Sequence, residues 1–375
     1  MMKMVKGEKV FNIDFSQCKE SAGSYGGAGG KKKGIIYNGE NYMLKFPQDT
    51  RQQKLENSYS NSSINEYIAC HIFQSLGIET QETLLGTYNN KIIVACKDFT
   101  NNGYTLRNFY SLKNSVLNDD NNPEDTELNN ILQVFDKQTQ FPQITAHILK
   151  KYFWEMFIVD AFLANNDRHN GNWGFLTNLQ TNDAHLAPIY DCASCLFPLD
   201  TTDEQFKQKL KDTNSLIFRV EELPFSIFRI KREKINYYNF LAKDCYDRDC
   251  LNALISITER IDMKAIHKII DETPYISDLN KEFLKVVVLN RKEKLLEKAI
   301  LENKNISRLY INETDIPRTD FAGFEFSNTS GMDKIRDEAL AKEQSSINTQ
   351  KPTKNDGDKP DIDEDKPSGP SGPRM

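Results

Sequence analysis

No stretch of the 375-residue chain approaches the roughly 20 apolar residues that a membrane span requires. Its opening residues, MMKMVKGEKVFNIDF, lack the apolar centre of a secretory signal. Synthesis and residence in the cytoplasm are therefore expected, and export by a route without a cleaved signal stays open. A cationic excess is missing too: 48 Lys and Arg against 54 Asp and Glu leave a net charge of −6. Nucleic acid is not an expected partner. Without a basic amphipathic helix, stable membrane association is not expected either. The seven cysteines are odd in number and scattered, which argues against a disulfide framework. Cys192 and Cys195 form a C-x-x-C, with Cys245 and Cys250 further on. The second spacing is loose and no His supports it, so small buried thiols are a better reading than zinc. Internal repeats are absent.

What is present reads as an α+β chain with two lobes. A 38% hydrophobic and 27% charged composition, at this length, suits a folded protein with a sizeable core. Residues 1–100 predict a β-rich lobe. VFNIDFSQ (Val10–Gln17) alternates like a strand, and a glycine-rich stretch, SAGSYGGAGGKKKG, follows at 21–34. IIYNGENYML then reads as a hairpin turning at Asn38–Gly39. It runs into MLKF, where alternation separates Lys45 from Leu44 and Phe46. NSSINEYIACHIFQSLGIE predicts an amphipathic helix capped by Ser62 or Ser63. Ile64, Ile68, Ile72 and Leu76 would share one face, Glu66 the first turn, and Gly77 the end. TLLGTY and KIIVACKDF predict two more strands joined at Asn89–Asn90.

Residues 101–305 predict a mainly helical lobe. NDDNNPEDTELNN, within a polar stretch from 101 to 140, reads as a surface insertion. A long helix is expected from Ile144, with Ile148, Tyr152, Met156, Val159 and Leu163 as its buried stripe. INYYNFLAK, CLNALISITERI, MKAIHKII and the run from LNKEF to LENK predict further helices. Residues 306–375 lose this patterning, with at most one exposed helix at GMDKIRDEALAKEQ. From Ser345 onward the tail is rich in Pro, Asp and Lys and is expected to be disordered.

Phosphoryl transfer needs a loop over phosphates, a cation on them, metal ligands, and a carboxylate for the acceptor's proton. The glycine-rich stretch supplies backbone N–H groups at Gly26, Gly27, Gly29 and Gly30, although Lys32 breaks the G-x-G-x-x-G spacing. Lys31–Lys33 and Lys45 are candidate phosphate cations, and Glu66 is the natural partner to hold Lys45. FLANNDRHNGNWGF carries D-x-x-x-x-N: Asp167 as catalytic carboxylate and Asn172 as a metal ligand. Asp191, in APIYDCASC, arrives as a second ligand for Mg²⁺. Arg168 would offset repulsion between carboxylates, and His169 would orient the loop from within. Asn165, Asn166 and Asn170 read as turn formers, and Trp173 and Phe175 as packing residues. Backbone groups from Cys96 to Asp98 are placed to meet adenine.

LGIETQETLLGTYNNKIIVACKDF, NNDRHNGNWGF and APIYDCASCLFP together resemble the HipA-like serine/threonine kinases, in particular the compact cell-translocating branch of gastric bacteria. The resemblance spans Phe11 to Lys304. It implies a protein-kinase-like fold, ATP and Mg²⁺ as cofactors, and transfer to Ser or Thr of proteins, including the chain itself. Within it Asp167 matches the catalytic aspartate, Asn172 and Asp191 the metal ligands, and Lys45 the phosphate lysine. Ser21 or Ser24 matches a loop serine that is autophosphorylated in HipA proteins. The branch implies a secreted effector acting on host proteins. No Gly follows Asp191 to make D-F-G, and the glycine loop begins near residue 21. The N-terminal region that HipA uses beside its antitoxin is therefore missing, and no antitoxin partner is expected. D-R-H-x-x-N is shared with phosphatidylinositol kinases, which keeps a lipid kinase as an alternative. The irregular glycine loop keeps a nucleotide-binding pseudokinase as another.

Overall fold

The computed structural model describes residues 13–21, 32–47, 60–100, 103–118 and 125–306. Gly26, Gly27, Gly29, Gly30 and Ser24 of the glycine-rich stretch lie outside the described residues, as do Val10, the centre of the 118–130 segment and the whole tail beyond Ile306.

The strand expected over Val10–Gln17 breaks after two described residues. Ile13–Asp14 is β1, and Phe15–Gln17 is a 3-10 turn in which the Asp14 carboxylate accepts from the Ser16 N–H at 2.9 Å. A short acidic side chain competing for backbone donors ended the alternation. β2 (Lys19–Glu20), β3 (Lys32–Tyr37) and β4 (Glu40–Lys45) follow. Asn38 and Gly39, at φ 51° and 82°, make the left-handed turn between β3 and β4. After helix α1 (Ser62–Ser75) come β5 (Thr83–Tyr88) and β6 (Lys91–Lys97). The six strands form one sheet in the order β1-β5-β6-β4-β3-β2, antiparallel except where β1 runs along β5. Alternation divides β6: Ile93 and Ala95 pack with Phe15, Ile35 and Leu44 on one face, Val94 and Cys96 with α1 on the other. Lys45 falls on the α1 side, opposite Leu44 and Phe46, as its place in the strand predicts.

α1 begins as expected but is capped differently. Its N-cap is Asn61, whose side chain makes no cap bond, and Ser62 and Ser63 are buried in the first turn. Glu66 therefore sits just past that turn. Ile64, Ile68, Ile72 and Leu76 are buried together, and Gly77 ends the helix at φ +73°.

The polar stretch 101–140 carries regular elements on both sides of residues 119–124, the centre of the expected insertion, which lie outside the described residues. β7 (Thr105–Asn108), α2 (Phe109–Leu117) and α3 (Leu128–Lys137) bury Phe109, Leu112, Ile131, Val134 and Phe135. A few large apolar side chains outweighed the polar composition around them. α4 (Ala146–Phe162) is capped by Thr145. Its expected stripe is misplaced at the start, because Ile148 is 40% exposed. From Met156 onward the helix is enclosed, and Phe153, Trp154, Phe157 and Ile158 are fully buried beside Met156 and Val159, while Lys151 one turn earlier stays exposed. A helix surrounded by protein needs no single stripe.

β8 (Gly174–Asn178) and β9 (Asp183–Leu186), absent from the sequence reading, complete a sheet in the order β7-β8-β9. α5 (Asp203–Lys211), α6 (Thr213–Glu221), the hairpin β10 (Phe225–Ile230) and β11 (Glu233–Asn236), and the single turn α7 (Tyr237–Asn239) come next. α8 (Arg248–Arg260), α9 (Met263–Glu272), α10 (Asp278–Arg291) and α11 (Lys298–Glu302) close the described chain, as their periodicity predicts. Fully buried Arg291 donates to the carbonyls of Ala161, Arg219, Val220 and Leu223. It thereby ties the end of α4 to the segment before β10. Among the described residues no helix is long and apolar enough to cross a membrane.

Gly174 is where β8 crosses β7 most closely. A Cβ there would lie 2.3 Å from the Arg107 carbonyl oxygen and 2.7 Å from the Asn108 Cα, both backbone atoms. Gly174→Ala should therefore open the β7–β8 pairing and destabilise by about 1–3 kcal/mol. The urea unfolding midpoint reads this directly; a midpoint matching the wild type would show that the strands can separate freely.

Candidate active site

The loop after α4 is built by hydrogen bonds from its own asparagines. Ala164 takes a left-handed turn at φ 58°, and the Asn165 N–H returns to the Asp160 carbonyl at 2.9 Å. Buried Asn165 donates its side chain to the Asp160 carboxylate at 2.8 Å, and its Oδ1 accepts the Asp167 N–H at 3.1 Å. Buried Asn170 donates to the Asp125 carbonyl at 2.8 Å, while the Tyr110 N–H bonds to the Asn170 carbonyl. These two are anchors to the helical body, not mere turn formers; Asn166 is exposed. Trp173 is fully buried and stacks on Phe109 at 4.0 Å, and Phe175 meets Phe141, so both pack as expected.

Arg168 has a structural task that its sequence position did not suggest. It is fully buried and paired by two bonds with Asp160, at 2.9 and 3.1 Å. The same guanidinium donates to the carbonyls of Asn172 and Tyr190 and, at 3.4 Å, of Asp191. One planar group thus fastens α4, the Asp167 loop and the Asp191 loop to each other. Asp160 at the back matches its charge, which also lowers the pKa of Asp167 and of Asp191. Asp160 was invisible in sequence because it sits within the apolar run of α4.

Asp167 is exposed, and no described side chain bonds its carboxylate. Burial of its surroundings raises its pKa; His169 pulls the other way and the Asp191 charge adds to the rise, leaving it above the ordinary carboxylate value. His169 accepts the Gly171 N–H on Nδ1 at 3.1 Å and so orients the loop from within. Asn172 donates its amide to the Asp167 carbonyl at 2.9 Å, which fixes the spacing of the two. Among the described residues nothing donates to the Asn172 Oδ1.

Lys45 joins the two halves of the site. Its ammonium lies 2.6 Å from Glu66 Oε1 and 3.0 Å from Asp191 Oδ1. Burial opposes its charge, but Glu66 and Asp191 outweigh that and hold its pKa well above normal. Burial likewise pushes Asp191 up, and Lys45 overcomes it, so Asp191 stays below the ordinary value. Glu66 is almost completely buried, and burial wins over Lys45, raising its pKa. Its second oxygen, Oε2, is buried without a partner. Asp191 itself stands at φ 58°, a strained backbone position for a non-glycine residue. Leu196 and Phe197 repeat the strain at φ 57° and 55°. Asn65, one residue before Glu66, clamps this segment to α1 by donating to the Cys195 and Leu196 carbonyls at 2.8 and 3.1 Å. Asn61 adds a bond to the Asp200 carbonyl. Neither clamp was foreseen, since nothing local in NSSINE distinguishes it from an ordinary helix start.

Of the Lys31–Lys33 cluster, Lys33 turns away to Tyr88 and Glu20. Lys32 stands directly across from Lys45 in the β3–β4 pair, and its charge lowers Asp191. Two lysines opposed on one face repel each other, an arrangement that suits a bound anion. The adenine role at Cys96–Asp98 needs correction in one respect. The Lys97 N–H donates to the Glu82 carbonyl and the Asp98 N–H to the Asn41 carbonyl, each at 2.8 Å. Those donors are committed to the sheet, and buried Cys96 contributes floor to the Lys45–Glu66 site. Ser21 bonds through its N–H to the Gly34 carbonyl, and its buried hydroxyl has no partner among the described residues. The four cysteines considered for zinc are free and buried and divide into separate groups: Cys192, which accepts from Arg168 at 3.3 Å, lies by Cys70 and Cys195, and Cys250 lies by Cys245. Among the described residues no three His, Cys, Asp or Glu side chains gather to hold a metal by themselves.

A family model described as the HipA-like C-terminal domain matches residues 23–268. The serine/threonine-protein kinase CtkA of Helicobacter pylori (strain J99) is 46% identical over 289 residues, 76% of this chain and 87% of that protein. A crystal structure of the H. pylori proinflammatory kinase CtkA superposes with a TM-score of 0.72 at 44% identity, covering 78% of this chain and 98% of that one. The mixed α/β architecture is therefore the CtkA kinase fold. HipA from Shewanella oneidensis, solved with HipB and operator DNA, aligns at 13% identity and a TM-score of 0.40, too distant to carry an argument. A family model matching more than half of the chain, with a relative 46% identical over three quarters of it, places the protein in the HipA-like family.

Proposed function

We propose that this HipA-like serine/threonine kinase transfers the γ-phosphate of ATP to Ser or Thr hydroxyls of proteins, with Mg²⁺ as cofactor. The observation that carries the reading is Lys45 held between Glu66 and Asp191, with Asp167 and Asn172 on the neighbouring loop. Lys45, with Lys32 beside it, binds the phosphates. Asn172 and Asp191 offer hard oxygen donors of the kind Mg²⁺ prefers. Bound there, the metal would neutralise charge on the phosphates. Glu66 holds Lys45 by a second ion pair, which would leave Asp191 free to serve as a metal ligand. Asp167 accepts or orients the proton of the acceptor hydroxyl.

The chain's own serines are acceptors in this reading. Ser21 would have to leave its buried position first, while Ser24 belongs to the glycine-rich stretch. Host proteins as acceptors, reached by export without a cleaved signal, extend the same reading. No observation beyond D-R-H-x-x-N favours a lipid acceptor.

Mass spectrometry of the protein after incubation with Mg·ATP, beside an Asp191→Asn control, tests the reading. Phosphorylated Ser or Thr should appear in the wild type and fall by at least about 100-fold in the control. Chelation of Mg²⁺ with EDTA should do the same. Unmodified wild-type protein that still binds Mg·ATP would favour a pseudokinase instead.

A further inference from the structure

We infer that the outer face of the β10–β11 hairpin, where Lys234 and Arg229 stand side by side, selects protein substrates with acidic residues beside the phosphoacceptor. The inference rests on the transfer reading above and adds to it a class of substrate.

The hairpin is built onto the catalytic machinery. Its inner face carries buried Phe228 and Ile235, and Phe228 packs on Phe153 and Phe157 of α4 at 5.1 and 6.2 Å. Its edge is stitched to Thr126: the Arg229 N–H donates to the Thr126 carbonyl at 3.0 Å, and the Thr126 hydroxyl to the Ile227 carbonyl at 2.9 Å. The preceding residue, Asp125, is the one that holds Asn170 of the Asp167 loop. Just past β11, the Tyr237 hydroxyl bonds to the Asn165 carbonyl at 2.8 Å. The hairpin therefore reaches the Asp167 loop directly through Tyr237 and indirectly through the Asp125–Thr126 segment. Alternation then turns Arg229 and Lys234 outward, since Phe228 and Ile235 point inward.

Charge gives this face its chemistry. Arg229, Lys231, Arg232 and Lys234 fall within six residues, relieved only by Glu233, in a chain whose net charge is −6. Arg229 and Lys234 are direct cross-strand partners. Like charges so opposed weaken a hairpin. Arg229 donates to the Arg232 carbonyl at the turn, and the Glu127 carboxylate accepts the Arg232 N–H. Lys234 is exposed, and among the described residues its ammonium forms no salt bridge. Its charge nevertheless reaches the carboxylate of Asp167. A cation near the acceptor loop, without a salt bridge among the described residues and costly to its own strand, fits a substrate carboxylate. A carboxylate there would find a cationic partner, whereas a basic substrate would be repelled.

Peptide mixtures with a fixed central Ser or Thr, randomised around it and phosphorylated with labelled ATP, provide the test. The wild type should enrich Asp and Glu at one or more positions flanking the acceptor. Lys234→Ala should cut that enrichment about fivefold. Lys234→Glu should reverse it towards Lys and Arg, and should not lower the melting temperature, because it removes a like-charge pair. Raising the salt concentration should flatten the wild-type preference. The readout is a ratio between peptides within each enzyme, so a general loss of activity does not imitate the result. Wild-type enzyme without acidic preference, or one kept intact in Lys234→Glu, would overturn the inference while sparing the transfer reading. Peptides left unlabelled throughout would sink both.

Discussion

Asp167→Ala should slow transfer by about 10³-fold and leave the stability of the protein where it is. The two halves of this expectation have separate physical origins. Asp167 takes part in the fold only through its backbone: its N–H goes to the Asn165 side chain and its carbonyl receives the Asn172 amide. Both bonds survive the loss of the carboxylate. The carboxylate itself is exposed and holds nothing in place. Yet it is the group whose pKa stands above normal on the acceptor side of the site, where a stronger base is useful. Asp167→Asn should behave in the same way, because the amide fills the space without accepting a proton. The pair of measurements is a turnover rate with Mg·ATP and a urea midpoint on the same preparations. Undiminished transfer by a variant with an unchanged midpoint would remove Asp167 from the role of acceptor base.

Much of this site could be read in the chain because its parts are local. The hairpin at Asn38–Gly39 needs only a turn dipeptide, and Lys45 and Leu44 separate because strands alternate. D-x-x-x-x-N lies within one loop, so its spacing survives in sequence, and the structure joins Asp167 to Asn172 by one hydrogen bond. What escaped reading is held together by side chains that mean nothing until the chain is closed. Asp160 looks like a polar interruption in α4 until Arg168 meets it. Asn65 resembles any early helix residue until the strained Leu196 carbonyl arrives. The 101–140 segment misled for a related reason: Phe109, Ile131 and Phe135 are too few to dominate composition, but each fills the core. At Cys96–Asp98 strand position was legible and strand pairing was not. Lys97 and Asp98 had already given their N–H groups to Glu82 and Asn41.

The opposite behaviour is expected seven residues upstream, in α4. Asp160→Ala should cost about 3–5 kcal/mol of stability, the penalty for leaving a buried charge without its partner. Arg168 lies wholly within the protein and has no other carboxylate among its described hydrogen-bond partners. Burial raises the pKa of Asp160 despite Arg168, so even the wild-type pair is poised against desolvation. Transfer should fall as well, because Asn172 and Asp191 are placed through the Arg168 guanidinium and not by contacts of their own with α4. A second variant separates charge from placement. Asp160→Leu combined with Arg168→Met removes both charges and should recover much of the lost stability, since apolar side chains can replace a buried ion pair. Activity should stay low in that protein, as nothing then donates to the Asn172 and Tyr190 carbonyls. Urea midpoints and turnover of the single and double variants give the answer. If turnover returns along with stability, Arg168 acts only as a partner for Asp160, and the two loops must find their positions without it.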